Sequence, residues 1–292
     1  MTHAIRSFHD PASATFTHVV YDPVARRAAI VDPVLDYDPV AARTGHRAAR
    51  TVLAFLREAA LDVDWIIETH AHADHLSAAQ WFKHQVGGRI GIGESICEVQ
   101  AQFKDIYHLD ATFRTDGTPF DHLFGDGECF RIGAVEICAM AVPGHTPADM
   151  AYRVGNDVFV GDTLFMPDVG SARCDFPGGD PARLYRSART LLALPPTTGL
   201  YLCHDYPPAG REPCGHCSVA EQRRDNIHLH DGIDEAHFVA LRRARDATLP
   251  LPALMLPAIQ VNIRAGQLPP PEDNGVSYLK IPVDRFAPRT PS

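Results

Sequence analysis

Thr69-His70-Ala71-His72-Ala73-Asp74-His75 places three imidazoles and a carboxylate within six residues. The run that leads into it, Trp65-Ile66-Ile67-Glu68-Thr69, is short and rich in β-branched and aromatic side chains, which reads as a buried strand. The histidines therefore fall on a loop at a strand's C-terminal end. On a helix, His70 and His72 would point about 200° apart and could not share an ion, whereas a loop lets both turn inward. Composition and placement together indicate a metal site.

A metal needs more ligands than neighbouring residues supply without strain, so His and Asp should recur downstream at strand ends. The strand-like run from Val135 to Val142 stops at Pro143-Gly144-His145. Asp157-Val158-Phe159-Val160-Gly161-Asp162 repeats the plan, with an apolar run, a glycine and then a carboxylate. Leu200-Tyr201-Leu202-Cys203-His204-Asp205 repeats it again. The chain holds 16 histidines, and His3, His46, His84, His108, His122, His228 and His230 take the ordinary reading of surface or helix-end residues. The cluster with its three further strand-end donors has the spacing of a metal centre.

This order, HxHxDH followed by a His, an Asp and a last His, resembles the metallo-β-lactamase fold superfamily. The matching residues are His70, His72, Asp74, His75, His145, Asp162 and His204, and the resemblance runs from about Ala14 to Leu229. It implies an α/β fold, an αββα sandwich with its metals at one edge. The expectation is a single domain over residues 1–292, with a core at about 14–229 and a C-terminal helix and wrapping tail at 230–292.

At 292 residues and 45% hydrophobic, the chain can bury a large core. No run approaches the roughly 18 apolar residues of a membrane helix, and Met1 to Ala14 lacks an apolar signal core, so a soluble, cytoplasmic protein is expected. The net charge of -9 argues against a nucleic-acid partner, while leaving room for a local basic pocket. Seven cysteines, an odd number spread along the chain, do not read as a disulfide framework and favour a reducing compartment. Cys214-Gly215-His216-Cys217 has no second CxxC and no thioredoxin-like context, so it reads as a loop without metal.

Phe16–Tyr21 and Ala28–Val31, flanking Asp22-Pro23, read as a hairpin. Val52, Leu53, Leu56 and Ala60 lie at helical spacing within Gly45 to Leu61. Asp180-Pro181 opens a helix whose buried face is Leu184, Ala188, Leu191 and Leu192. Ser218 with Glu221 makes a capping box, and a further helix spans Asp234 to about Ala247. Beyond it, prolines at 250, 252, 257, 269, 270 and 271 describe a segment that wraps rather than folds alone.

Two imidazoles and a carboxylate, His70, His145 and Asp162, suit a facial Fe(II) site with open positions. Adding His72, Asp74, His75 and His204 would instead permit two zinc ions and a bridging hydroxide. The ligand inventory leaves both open. Gly161-Asp162-Thr163-Leu164-Phe165, Ala172-Arg173-Cys174-Asp175-Phe176, His204-Asp205-Tyr206 and Asn262-Ile263-Arg264-Ala265-Gly266 are similar to the persulfide dioxygenases of this superfamily and their bacterial β-lactamase-hydrolase-like relatives. That resemblance implies a mononuclear iron enzyme oxidising glutathione persulfide with O2 to sulfite and glutathione, and a homodimer as the family expectation. It makes His70, His145 and Asp162 the iron ligands, with His72, Asp74 and His75 supporting them. It sets Arg173 and Asp175 beside the thiol pocket and Tyr206 near the open face. Arg173 could hold a substrate carboxylate in two parallel bonds, or it could pair structurally with Asp175. Where many relatives have Gly-Cys-Gly-Arg, this chain has Gly170-Ser171-Ala172-Arg173, and the loops from Tyr107 to Gly127 and Pro207 to Cys217 are long, which is where substrate choice is made.

The leading alternative is a zinc thioesterase of the glyoxalase II kind, in which Asp74 and His75 hold a second ion. The basic C-terminal helical domain that clasps glutathione in that family has no counterpart here. A lactonase or β-lactamase would share the ligands, and a non-catalytic metal-binding or regulatory protein would keep the fold without the full ligand set.

Overall fold

The computed structural model describes residues 2–286. Its first half runs β1 (Ala4–Asp10), β2 (Thr15–Asp22), β3 (Arg27–Val31), β4 (Val34–Asp38), β5 (Arg43–Gly45), α1 (Arg47–Glu58), β6 (Asp62–Ile67), β7 (Leu76–Ser77), α2 (Ala79–Val86), β8 (Arg89–Gly93), α3 (Ile96–Ile106) and β9 (His122–Phe124). Its second half runs β10 (Cys129–Ile132), β11 (Val135–Ala141), β12 (Met150–Val154), β13 (Asp157–Phe159), α4 (Pro181–Leu192), β14 (Gly199–Tyr201), β15 (His216–Ser218), α5 (Val219–Asp225), α6 (Glu235–Asp246) and α7 (Met255–Asn262).

Side-chain alternation along the central strands dictates the layers. On β3, Ala28 and Ile30 face one way and Ala29 and Val31 the other, and all four are buried. On β6 the register against β3 shifts beside Asp64, so Val63 and Ile66 share a face while Trp65 and Ile67 share the opposite one. A sheet apolar on both faces must be covered on both. One face of β1-β2-β3-β6-β8-β9 packs on α1, α2, α3 and α7 through Leu56, Phe82, Phe103 and Ile259. Its other face meets β10-β11-β12-β13-β14-β15 through Trp65, Phe130, Ile137 and Tyr152. The outer face of that second sheet is covered by α4, α5 and α6 through Leu184, Val219 and Phe238. This is the αββα sandwich expected.

The hairpin, α1, the Asp180 cap and the Ser218–Glu221 capping box lie where the sequence places them. Three expectations change. The proline-rich tail contains a helix, α7, because Pro257 stands in its first turn, where a missing N–H costs nothing; residues 287–292 of that tail lie outside the described residues. The cysteines are not all free, since Cys129 and Cys138, paired in register across β10 and β11, form a disulfide. His228 is not a surface residue, because its ring is buried and its Nδ1 accepts the N–H of Ser171 at 3.1 Å. Among the described residues no helix is long and apolar enough to cross a membrane.

Candidate metal centre

The histidine-rich loop leaves the C-terminal end of β6, His145 follows β11, Asp162 follows β13 and His204 follows β14. The two sheets thus deliver their donors to one edge of the sandwich, where cross-sheet bonds fasten them: Met150 N–H to Thr69 O at 2.9 Å, and Phe16 N–H to Cys203 O at 2.7 Å. Two glycines permit the approach. Gly144 has φ +151, and a Cβ there would stand 2.2 Å from the Leu184 nitrogen. Gly161 has φ +54, and a Cβ there would stand 2.8 Å from the Thr69 side chain.

His70, His145 and Asp162 face one another. Thr69 donates its hydroxyl to Asp32 Oδ2 at 3.0 Å, so it can only accept from His70 Nδ1, also at 3.0 Å. His145 Nδ1 donates to the carbonyl of Arg173 at 2.7 Å. Both rings are thereby fixed with bare Nε2 lone pairs, which lie 3.8 and 3.7 Å from Asp162 Oδ2. Among the described residues, His70 Nε2 is buried without a hydrogen-bond partner. Burial, reinforced by His72 and His145, keeps His70 well below the ordinary histidine range, so this ring is ready to ligate without losing a proton. The orphaned nitrogen and the donor set fit a metal ion.

His72, Asp74, His75 and His204 form a second set, so His72 belongs here rather than with His70 and His145. This set is largely closed on itself. His204 Nδ1 lies 2.6 Å from Asp162 Oδ1, and its Nε2 lies 2.6 Å from Asp74 Oδ2. Burial opposes charge on His204, yet Asp162 and Asp74 hold it well above the ordinary range. Against burial, His204 in turn holds Asp74 well below the carboxylate range. Burial pushes His75 down to about 4. His72 Nδ1 and His75 Nε2 are buried without partners among the described residues.

Three contributors escaped the sequence reading of the site, and a fourth, Asn262, entered it only as part of a resembling segment, without a role. Asp32 accepts from Thr69 N, Thr69 Oγ1 and His72 Nε2 at 2.7, 3.0 and 3.0 Å. The signal was present, because Asp32 ends the apolar run of β3 in the way that Asp162 follows β13. Glu68 lies 3.3 Å from His72 and accepts from the Ser77 hydroxyl. Cys203 is buried among Asp32, His72, Asp162 and His204. Asn262, on α7, bonds the backbone of the histidine loop.

A cavity of about 640 Å³ opens on the first donor set, and Asp74, His145, Asp162, Phe165, Arg173 and Tyr206 line it. Tyr206 is half exposed, donates to Asp74 Oδ2 at 3.2 Å and stacks on His204. Arg173 reaches the cavity wall already engaged: it bonds both oxygens of Asp175 at 2.6 and 2.7 Å, donates to Pro250 O at 2.6 Å and covers the Phe176 ring. The structural ion pair is thus what the arginine makes. Arg245, on α6, also lines the cavity, is exposed, and has no carboxylate within 4 Å among the described residues. Cys214 and Cys217 lie apart from the donor sets, the first exposed and donating to His216 O, the second buried and accepting from Gln222.

An αββα sandwich with His and Asp donors gathered at the edge shared by its two sheets defines a class of metal-dependent proteins. The chain belongs to the metallo-β-lactamase superfamily, whose profile matches residues 15–204. It is similar to the probable metallo-hydrolase of Burkholderia pseudomallei, 50% identical over 290 residues, covering 96% of this chain and 99% of that one. It is 48% identical over 282 residues to Glyoxylase B2 of Dictyostelium discoideum, covering 96% and 97%. To the mitochondrial persulfide dioxygenase ETHE1 of Mus musculus it is 27% identical over 270 residues, covering 91% and 90%. Among solved structures, the crystal structure of ETHE1 from Myxococcus xanthus superposes with a TM-score of 0.72 at 27% identity, covering 90% of this chain and all of that one.

Proposed function

We propose that the protein is an Fe(II)-dependent persulfide dioxygenase acting on glutathione persulfide or a related small persulfide. The observation that carries this reading is the contrast between the two donor sets. His70 Nε2, His145 Nε2 and Asp162 Oδ2 converge at 3.7 to 3.8 Å, while both nitrogens of His204 are taken by carboxylates at 2.6 Å. Two imidazoles and one carboxylate with open positions suit non-haem iron. The similarity to a persulfide dioxygenase over 91% of the chain supports the same reading.

Iron, when bound, supplies the electron chemistry between sulfur and O2. The balanced reaction is RSSH + O2 + H2O → RSH + SO3²⁻ + 2H⁺, in which the outer sulfur is oxidised and the thiol carrier leaves. The chain's own residues do the rest. Asp32, through Thr69, and the Arg173 carbonyl orient His70 and His145. His204 holds Asp162 in place. Tyr206 stands at the cavity with its hydroxyl beside Asp74, and Arg245 is the cation available for a substrate carboxylate.

A second reading rests on His72 Nδ1 and His75 Nε2, which are also unpartnered. A second ion would use them, and a two-zinc thioesterase would result, in line with the relative named Glyoxylase B2. Oxygen uptake with glutathione persulfide, on anaerobically iron-loaded protein beside a zinc-loaded control, separates the two. Uptake with sulfite formation in the iron form alone supports the dioxygenase. No uptake from verified iron-loaded protein, with thioester cleavage by the zinc form, overturns it.

A further inference from the structure

Arg264 lies two residues beyond the end of α7 and lines a second cavity, of about 820 Å³, that shares no lining residue with the one at the metal centre. Only 9% of its surface is exposed. Its guanidinium sits 4.4 Å from the centre of the Phe113 ring, and Nη1 donates to Gln260 O at 2.9 Å. Among the described residues that is one protein acceptor for a group with five N–H donors. Among the described residues no carboxylate comes within 4 Å of Arg264, whereas the other buried arginine, Arg242, pairs with Asp246 and also donates to the Ser171 carbonyl. Taking a cation out of water without a counter-charge is costly.

The other charged groups on the cavity wall are Lys83, Arg114, Asp110 and Asp121. Lys83 is paired with Asp121 and Arg114 with Asp116, which leaves Arg264 as the cation on this wall without an acid partner among the described residues. The guanidinium lies over the Phe113 ring, and the N–H groups it does not give to Gln260 have the fork geometry that meets two oxygens at once. Gln80, Thr112 and Gln267 add neutral donors.

We propose that this cavity is a second ligand site, which binds a small anion through a carboxylate or phosphate group anchored on Arg264. The site stands apart from the reaction at the metal centre and does not depend on which reaction that is.

The test is calorimetric titration of the metal-loaded protein with inorganic phosphate and, separately, succinate, at constant ionic strength with chloride as control. Saturable binding to one site is expected, weakened by on the order of tenfold or more in Arg264→Gln and less in Arg264→Lys, which keeps the charge but loses the fork. The affinity is expected to persist in Asp162→Ala, whose metal centre is broken. Absence of saturable binding, or equal affinity in Arg264→Gln, the mark of an adventitious ion only, overturns the proposal. Should Arg264→Gln fail to fold, the Nε–H resonance of Arg264 in ¹⁵N-arginine-labelled wild-type protein decides: it moves to saturation with the ligand if the site is real, and its staying fixed overturns the proposal.

Discussion

The side-chain amide of Asn262 donates to the carbonyl of His72 at 2.8 Å, joining the C-terminal segment to a loop 190 residues earlier in the chain. The same nitrogen donates to the carbonyl of His75 at 2.8 Å, and its oxygen accepts the N–H of Ser77 at 2.8 Å. One buried amide therefore satisfies three backbone groups of the loop that carries His70, His72, Asp74 and His75. Such groups have no water to turn to.

Asn262→Ala strands two carbonyls and an N–H in the interior. We expect a loss of about 2–4 kcal/mol in unfolding free energy, read from the denaturant midpoint, with weaker metal retention on dialysis. Asn262→Asp keeps the volume and the acceptor but removes the donor, so it should lose at least as much. An Asp variant as stable as wild type would show that the two donated bonds carry nothing.

The sequence exposes the donors of this centre more readily than their supports, for a physical reason. His145, Asp162 and His204 each end an apolar run, and a strand carries the residues just past its last one to the sheet's edge, so their convergence can be read one strand at a time. The side-chain network is non-local: Asp32 reaches Thr69 across two parallel strands, and Asn262 reaches the loop from a helix at the far end of the chain. No local pattern encodes those pairings. The helix α7 is masked in the sequence by the prolines around it, one of which, Pro257, falls within its first turn. Pairing of Cys129 with Cys138 depends on the register of β10 on β11, which an odd cysteine total does not reveal.

Metal stoichiometry distinguishes the two donor sets. With one iron held by His70, His145 and Asp162, wild-type protein should retain one iron per chain, Asp162→Ala should retain none, and His75→Ala should keep its iron at close to wild-type affinity, because His75 contacts Asp74 and Thr15 rather than any of the three donors. Elemental analysis after exhaustive dialysis gives the answer. Two tightly held zinc ions in wild type, falling to one in His75→Ala, would instead make the second set a ligand site.

Acid stability should carry the signature of His18. Its ring is buried between the sheets, with Nε2 donating to Leu202 O at 2.9 Å and Nδ1 bonded to the Ser7 hydroxyl at 2.8 Å. Burial lowers its pKa from 6.5 to about 4. Above pH 6.5 both folded and unfolded chains carry it neutral. Between 6.5 and 4 the unfolded chain takes up a proton that the folded chain refuses, so stability falls as pH falls, by about 3 kcal/mol from this residue. Below 4 the contribution levels off. Denaturant titrations of wild type and His18→Gln across that window should show a shallower slope for the variant, and parallel curves would refute the assignment.

Arg245 and Arg173 both line the cavity, yet they should fail differently when truncated. Arg245 is exposed and has no acid partner among the described residues, so Arg245→Ala removes attraction that the ground state and the transition state share equally. KM for glutathione persulfide should rise by about three- to tenfold with kcat unchanged. Arg173 is committed to Asp175 and Pro250, and its own carbonyl orients the His145 ring. Arg173→Ala leaves Asp175 without its partner and loosens the segment that supplies this carbonyl, so kcat and thermal stability should fall together. Substrate lacking the glycine carboxylate provides the check: it should erase the difference between wild type and Arg245→Ala while leaving the Arg173→Ala defect intact. A KM defect that persists with that substrate would mean that Arg245 acts on something other than the carboxylate.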